Sequence, residues 1–318
     1  MTGGLRRGDG DGWVRCERGH RHWGRFGAAG LLVRDRDTAG DRVLLQHRAL
    51  WSHEGGTWGL PGGARDSHES AVATALREAA EEAGVAPEAV RPTGLLVDDH
   101  GGWSYTTTIA EWAGSAESQP RGHQPAGGET IELRWVDVGQ VDRLPLHPGF
   151  AGTWPRLRSA PAGTVLVVDG ANVVGARGRG DGWWRDRPGA ARRLRDALVR
   201  LAASGIPAAD LAPAPPPAGI DVLLPRIVLV VEGAARPVAA EPVGGGPGGA
   251  YPAEQIEVRA AAAGGDDTIV AVAAAAARTH RAVVVTADRG LAARVEDVGA
   301  ATVRPSWLLR LLESAGDS

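Results

Sequence analysis

A helix that carries three carboxylates on one stripe is costly to build, and the segment Gly62–Val85, GGARDSHESAVATALREAAEEAGV, encodes one. With about 100° between successive helical residues, Glu78, Glu81 and Glu82 share a narrow arc. Val72, Leu76, Ala79, Ala80 and Ala83 line the opposite arc. Adjacent like charges destabilise an isolated helix. A hard divalent cation removes that penalty, because it takes several oxygen ligands at once. The segment therefore reads as half of a metal site on a helix whose other face enters a core. Its expected start is Ser67 or His68, and Gly84 is the expected C-terminal stop.

The spacing is specific: Gly63, five residues, Glu69, seven residues, then Arg77-Glu78-Ala79-Ala80-Glu81-Glu82-Ala83-Gly84-Val85. It resembles the signature of the Nudix hydrolase family at every position. Trp58-Gly59-Leu60 and Pro61-Gly62-Gly63 also match what leads into that signature. The resemblance covers residues 20–156 and implies an α+β fold, with a mixed sheet between helices and a loop-helix-loop metal site. It implies Mg²⁺, or Mn²⁺ in its place, bound by Glu78 and Glu82, with Glu82 the foremost ligand and Gly63 adding its carbonyl. Glu81 either joins the metal or orients the attacking water. Arg77 and Glu69 would pair to brace the loop-helix-loop. Family members often add a general base from outside the box, for which Glu129 and Glu132 are candidates, Glu129 in the better position. The implied reaction is attack of metal-activated water on the diphosphate of a nucleoside triphosphate or another nucleoside diphosphate derivative. Arg48, Trp51 and Trp58 lie where the substrate pocket should form. The rival reading is a nucleotide-sensing module that regulates the rest of the chain without turnover.

The remainder of the sequence narrows the setting. At 318 residues the chain suits two domains. A formal net charge of −3 gives no bulk attraction for polyanions. All the basic residues are arginine, so phosphate must be met by arginine forks, backbone amides or metal. The single cysteine, Cys16, excludes an internal disulfide and fits a reducing, cytoplasmic setting. Cys16, His20 and His22 cluster in sequence, but without a second cysteine pair the metal-finger spacing is incomplete. No segment approaches the length of a membrane span, and the Gly/Asp/Arg-rich residues 1–12 are expected to be disordered.

Ala28–Val33, Val43–Gln46, Leu95–Val97, Tyr105–Trp112 and Ile131–Val138 read as strands of the first domain, residues 13–156, with a loop over Gly114–Gly128. After a linker at 157–163 the rhythm changes. Val165–Asp169, Ile227–Glu232 and Ala282–Thr286 are short apolar runs alternating with helices near Gly189–Ser204 and Asp266–Thr279, which indicates a parallel sheet. Pro/Ala/Gly-rich loops are expected at 208–219 and 239–252. Strand ends in such a sheet converge on one crevice, bringing together Asp169, Asn172, Glu232, Asp266, Asp267 and Asp288. The pattern of Asp169-Gly170-Ala171-Asn172, then Asp266-Asp267 opening a helix, then Thr286-Ala287-Asp288 resembles the NYN branch of the PIN-like nucleases. That resemblance covers about residues 163–318, with the domain itself expected at 164–318. It implies an α/β parallel sheet flanked by helices, a second divalent-metal site at Asp169, Asp266, Asp267 and Asp288, Asn172 toward the substrate, and single-stranded RNA as partner. Trp183-Trp184 and the arginines at 185, 187, 192, 193 and 195 offer the stacking and positive charge such a strand requires. A passive RNA-binding or interaction domain is the rival reading of this half.

Overall fold

The computed structural model describes residues 8–37, 40–120, 130–177, 184–211, 218–244, 255–262 and 264–315. The chain divides into two compact units, one of residues 1–160 with Ala218–Asp221, the other of Pro161–Pro217 with Val222–Ser318. Asp221 belongs with the first unit because its amide donates to the Leu95 carbonyl and its carboxylate accepts from the Val97 amide.

The first unit opens with an antiparallel pair, β1 (Trp13–Arg15) and β2 (Arg21–Trp23). There follow β3 (Ala28–Asp37), β4 (Gly40–Arg48), β5 (Trp58–Gly59), β6 (Gly62–Ala64), α1 (Ala71–Ala83), β7 (Val90–Asp99), β8 (Ser104–Trp112), β9 (Thr130–Asp137) and α2 (Pro148–Arg158). The sheet runs β7-β8-β3-β4-β5, with β6 joined to β3 and β9 to β4. β3 lies parallel to β8 and antiparallel to β4 and β6, so the sheet is mixed. Leu31, Leu32, Val33, Val43, Leu44 and Leu45 are all buried without alternation, which requires cover on both faces. Val72, Leu76, Ala79 and Ala83 give α1 the apolar side that packs inward. Arg34, only 5% exposed, reaches the Ala160 carbonyl beyond α2 and forms a bidentate pair with Asp41.

Helix α1 starts three residues later than the pattern suggests. Ser70 is its N-cap, its hydroxyl accepting from the Ala73 amide, because Glu69 is engaged elsewhere. Gly84 stops it at φ 62°, its amide reaching back to the Ala79 and Ala80 carbonyls. The N-terminal stretch differs from expectation. Residues 1–7 lie outside the described residues, but Gly10 donates to Asp66 and Asp9 accepts from the Ser67 amide, so residues 8–12 are pinned to the loop before α1.

The second unit contains β10 (Thr164–Asp169), α3 (Gly170–Ala176), α4 (Arg187–Ser204), a short antiparallel pair β11 (Ile206–Pro207) and β12 (Val222–Leu223), β13 (Arg226–Val231), β14 (Ile256–Ala260), α5 (Gly265–Ala277), β15 (Arg281–Val285), α6 (Arg289–Asp297), β16 (Ala301–Val303) and α7 (Pro305–Ser314). Five of these strands form a wholly parallel sheet in the order β14-β13-β10-β15-β16. Val165 and Val167 face the layer of Ile269, Ala273, Leu291 and Val295, and the intervening Leu166 and Val168 are equally buried. Cover on both faces explains the uninterrupted apolar runs. The chain reverses its direction of winding between β10 and β15, which makes their carboxyl ends the switch point. The low-complexity loops are partly ordered: a 3-10 turn spans Ala208–Asp210 and a 3-10 helix spans Gly233–Ala240, while 212–217 and 245–254 lie outside the described residues.

Candidate active site

Two glycines let the carboxylates of α1 rest on a strand. β6 pairs with β3 through Ala29–Gly63 and Gly30–Gly62. A Cβ on Gly63 would stand 2.5 Å from Glu78 Oε1 and 2.8 Å from Oε2, so only glycine leaves room for this carboxylate. Glu82 Oε2 accepts from the Gly62 amide at 3.0 Å and from Gln46 Nε2 at 3.3 Å. Gln46 is fully buried in β4, and its own oxygen accepts from the Thr130 hydroxyl at 3.1 Å. Glu81, half exposed, lies 3.7 Å from Arg77.

Arg77 organises the charges. It donates to both oxygens of Glu69, at 2.8 and 2.9 Å, to Glu78 Oε1 at 2.7 Å and to the Ala64 carbonyl at 3.2 Å. Thr74, buried on α1, adds a hydroxyl to Glu69 at 2.8 Å. The hydrogen bond from Arg77, reinforced by Thr74, holds the Glu69 carboxyl down at about 2. Arg77 in turn is held well above its ordinary value, first by Glu69 and then by Glu78. Glu78 goes the other way: burial raises its pKa, and the Arg77 charge offsets this only in part. Burial also raises the Tyr105 phenol, with the Glu82 charge adding to it. A buried carboxylate whose charge is incompletely balanced, seated in a cradle that a single methyl group would fill, fits a small divalent cation.

Other residues singled out in the sequence are placed as follows. Arg48 donates from Nε to the His53 carbonyl at 3.2 Å. Trp51 is 70% exposed. Trp58 is 4% exposed, stacked on His47 at 4.8 Å and covered by the Arg134 guanidinium at 4.6 Å. Glu132 pairs with Arg134 at 2.8 Å. Glu129 lies outside the described residues. Gln46, Thr130, Thr74 and Tyr105 were not read from the sequence. Gln46 did leave a signal there, as one amide inside the run Val43-Leu44-Leu45-Gln46.

In the second unit, Asp169 ends β10 at 9% exposure. Its carboxylate accepts from the Asn172 amide at 3.0 Å and from the Thr286 hydroxyl at 3.0 Å. Burial raises its pKa, and the negative charges of Glu232 and Asp266 act in the same direction. Glu232, at the end of β13, accepts from the Gly265 amide at 2.8 Å, which fixes the start of α5. Asp267 lies at the rim, its side chain 81% exposed and paired with Arg294. Asp288 caps α6 through the Gly290 and Leu291 amides. Asn172 uses its side-chain oxygen to accept from the Ala287 amide, tying α3 to the loop after β15. Trp183 lies outside the described residues, and Trp184 is 42% exposed.

The NUDIX domain family matches residues 24–157. A putative 8-oxo-dGTP diphosphatase 3 of Mycobacterium tuberculosis (strain CDC 1551 / Oshkosh) is 53% identical over 170 residues, covering 51% of this chain and 75% of that protein. A nucleoside triphosphate pyrophosphatase/Nudix hydrolase fusion protein of Bifidobacterium longum (strain NCC 2705) is 42% identical over 150 residues, 46% of this chain and 30% of that protein. Among solved structures, a Nudix hydrolase from M. smegmatis, RenU, shares 50% identity over 47% of this chain and 93% of that one, at a TM-score of 0.42. No helix among the described residues is long and apolar enough to cross a membrane. The carboxylates seated on the Gly62–Gly63 strand and the extent of these matches agree: the chain belongs to the Nudix family, and it is a pyrophosphohydrolase.

Proposed function

We propose that the N-terminal domain hydrolyses oxidised purine nucleoside triphosphates of the 8-oxo-dGTP class, with Mg²⁺ or Mn²⁺ as cofactor. The observation that carries this reading is the convergence of Glu78 and Glu82 on the Gly62–Gly63 backbone. Glu78, Glu82 and the Gly63 carbonyl are the groups that would hold the cation. When bound, such a cation neutralises phosphate charge and acidifies water. The chain's own residues do the positioning: Arg77 fixes Glu78, and Gln46, itself held by Thr130, fixes Glu82. Glu81 extends the same acidic stripe toward solvent, where it can orient a water. The substrate class is supported by the 53% identity to the protein named a putative 8-oxo-dGTP diphosphatase. With Glu69, Arg77, Glu78, Glu81 and Glu82 all in place, turnover is favoured over nucleotide sensing alone.

A second reading concerns the C-terminal domain, for which we propose a metal-dependent, PIN-like ribonuclease activity. It is supported by the buried Asp169 at the switch point of a parallel sheet, where the charges of Glu232 and Asp266 both act on it. Asp169 and Asp266 are the first candidates for the metal, with Glu232 beside them and Asp267 and Asp288 at the margin.

One crossed assay tests both readings. The full chain, Glu82→Gln and Asp169→Asn are each given 8-oxo-dGTP, dGTP, a dinucleoside polyphosphate, a nucleotide sugar and single-stranded RNA, with Mg²⁺ and with Mn²⁺. Glu82→Gln should lower nucleotide hydrolysis by about 10²–10³-fold, the scale of losing one preorganised electrostatic group, and spare RNA cleavage. Asp169→Asn should do the reverse. Equal rates for 8-oxo-dGTP and dGTP would sink the substrate assignment, and equal RNA loss with wild type and Asp169→Asn would sink the second reading.

A further inference from the structure

The β1–β2 hairpin assembles a cluster that the Nudix chemistry does not use. Cys16 and Gly19 close its turn, with the Cys16 amide donating to the His20 carbonyl and the Gly19 amide to the Cys16 carbonyl. His20 and His22, two residues apart on an extended segment, present side chains to the same face. A third histidine, His100, comes from the turn between β7 and β8, far away in sequence. The two turns are tied together: the Glu17 amide donates to the Gly101 carbonyl at 2.9 Å, and Arg18 to the Asp99 carbonyl at 2.6 Å. As a result, one donor atom from each of Cys16, His20, His22 and His100 lies within 4.8 Å of the other three.

The environment of these atoms points to a ligand. His22 Nε2 and His100 Nδ1 are both buried and have no hydrogen-bond partner in the protein. Buried polar atoms are almost always satisfied, and here two orphans sit in one cluster beside a buried thiol. The other ring nitrogen of His100, Nε2, lies 3.1 Å from Asp98 Oδ2. That contact puts the proton on Nε2 and leaves the Nδ1 lone pair for the cluster, the arrangement by which carboxylates orient metal-binding imidazoles. The His22 ring is locked by stacking on Trp103 at 3.9 Å and 10°, and Trp103 is itself anchored through its indole N–H to the Gly24 carbonyl.

We propose that Cys16, His20, His22 and His100 bind one zinc ion that staples the N-terminal hairpin to the β7–β8 turn. A thiolate with three imidazoles is a nitrogen/sulfur donor set, which selects zinc over magnesium or calcium. Bonds of about 2.0–2.3 Å require tetrahedral ligands roughly 3.3–3.8 Å apart, so contraction by about an ångström closes the site, and His20, the exposed member, has the freedom to move. Four protein ligands leave no open position, which makes the site structural and separate in chemistry from the carboxylate site on α1. The two metals therefore differ in donor type, and the sequence fell short of this site because its fourth ligand arrives from another turn.

The test uses the full chain without a histidine tag, purified without chelator. Metal analysis should find one zinc per chain in wild type and in Glu82→Gln, and none in Cys16→Ser or His100→Ala. After exchange with cobalt(II), the spectrum should show thiolate-to-cobalt charge transfer, which can arise only at Cys16, the single cysteine. Asp98→Asn, which leaves all four ligands in place, should weaken zinc about 10–100-fold in competition with a chromogenic chelator. Zinc at no more than the Cys16→Ser level in wild type, or a cobalt form without the thiolate band, would overturn the proposal. The cobalt measurement on wild type decides the matter even if the ligand variants fail to fold.

Discussion

The acidic cluster on α1 and the one at the parallel-sheet edge are assembled in opposite ways. Glu78, Glu81 and Glu82 fall within five consecutive positions of one helix, so a single secondary-structure period brings them together. Asp169, Glu232 and Asp266 come from β10, the end of β13 and the start of α5, and the sheet order β14-β13-β10 brings the charges of the last two near enough to raise the Asp169 pKa. Charge compensation differs as well. On α1 a guanidinium sits among the acids, Arg77 touching Glu69 and Glu78. At the sheet edge, Asp169 and Glu232 are held by neutral donors, the Asn172 and Gly265 amides and the Thr286 hydroxyl, while Arg294 meets the cluster only at its exposed rim. A cluster encoded within one helix can carry its own counter-charge. One assembled from distant segments relies on the backbone.

Both clusters seat a carboxylate against a glycine, Glu78 on Gly63 and Glu232 on Gly265, and the first contact predicts the largest effect. In Gly63→Ala the new methyl would displace the Glu78 carboxylate. The side chain is flexible, so it turns away and the fold survives. Misplacing a reacting group by about an ångström costs roughly 10²-fold in rate. Gly63→Ala should therefore lose about that factor in kcat/KM for nucleotide hydrolysis while its melting temperature stays near that of wild type. Full activity in the variant would show that Glu78 works elsewhere than over Gly63, and the contrast between the clusters would lose its basis.

What could be read in advance follows the same division. Gly84 as the stop of α1 and the three apolar runs that become β10, β13 and β15 depend on neighbours a few residues away and are visible as pattern, whereas β14 and β16, the outer strands of the same sheet, are not. Gln46 and Thr130 reach Glu82 from other strands, the Tyr105 phenol feels its charge from β8, and no period links the three to the box. Trp58 was legible as an aromatic near the site, but not as one buried between His47 and Arg134. Ser70 rather than Ser67 caps α1 because Glu69 turns to Arg77, a preference set by side-chain geometry rather than composition.

The internal counter-charge of the first cluster makes its stability depend on pH. Glu69 titrates near 4.5 when unfolded and is held at about 2 when folded. A depressed carboxylate contributes stability that is complete above the unfolded value and is lost as pH falls through the folded one. Because a third of the Arg77 side chain meets water, the contribution is discounted to on the order of 2 kcal/mol. Glu69→Gln should lower urea stability by that amount at pH 7, and the gap from wild type should narrow as the pH falls from about 4.5 toward about 2. A gap that is the same at pH 7 and pH 3 would mean that packing, and not the charge pair, braces the box.

The smallest expected effect belongs to the neutral support of the second cluster. Thr286 donates its hydroxyl to the buried Asp169 carboxylate and accepts from the Asp288 amide, so one side chain joins the ends of β10 and β15. Thr286→Val keeps the shape and removes both bonds. A net loss of about 1.5 kcal/mol is expected, the low end for a hydrogen bond to a charged group, with the Asp169 pKa rising further because its burial is then less well compensated. Nucleotide hydrolysis should stay within about twofold of wild type, since Thr286 and Asp169 belong to the second unit and the carboxylates of α1 to the first. A larger fall in that activity would show that the sheet-edge acids support the box chemistry, and that two clusters built so differently are nonetheless coupled.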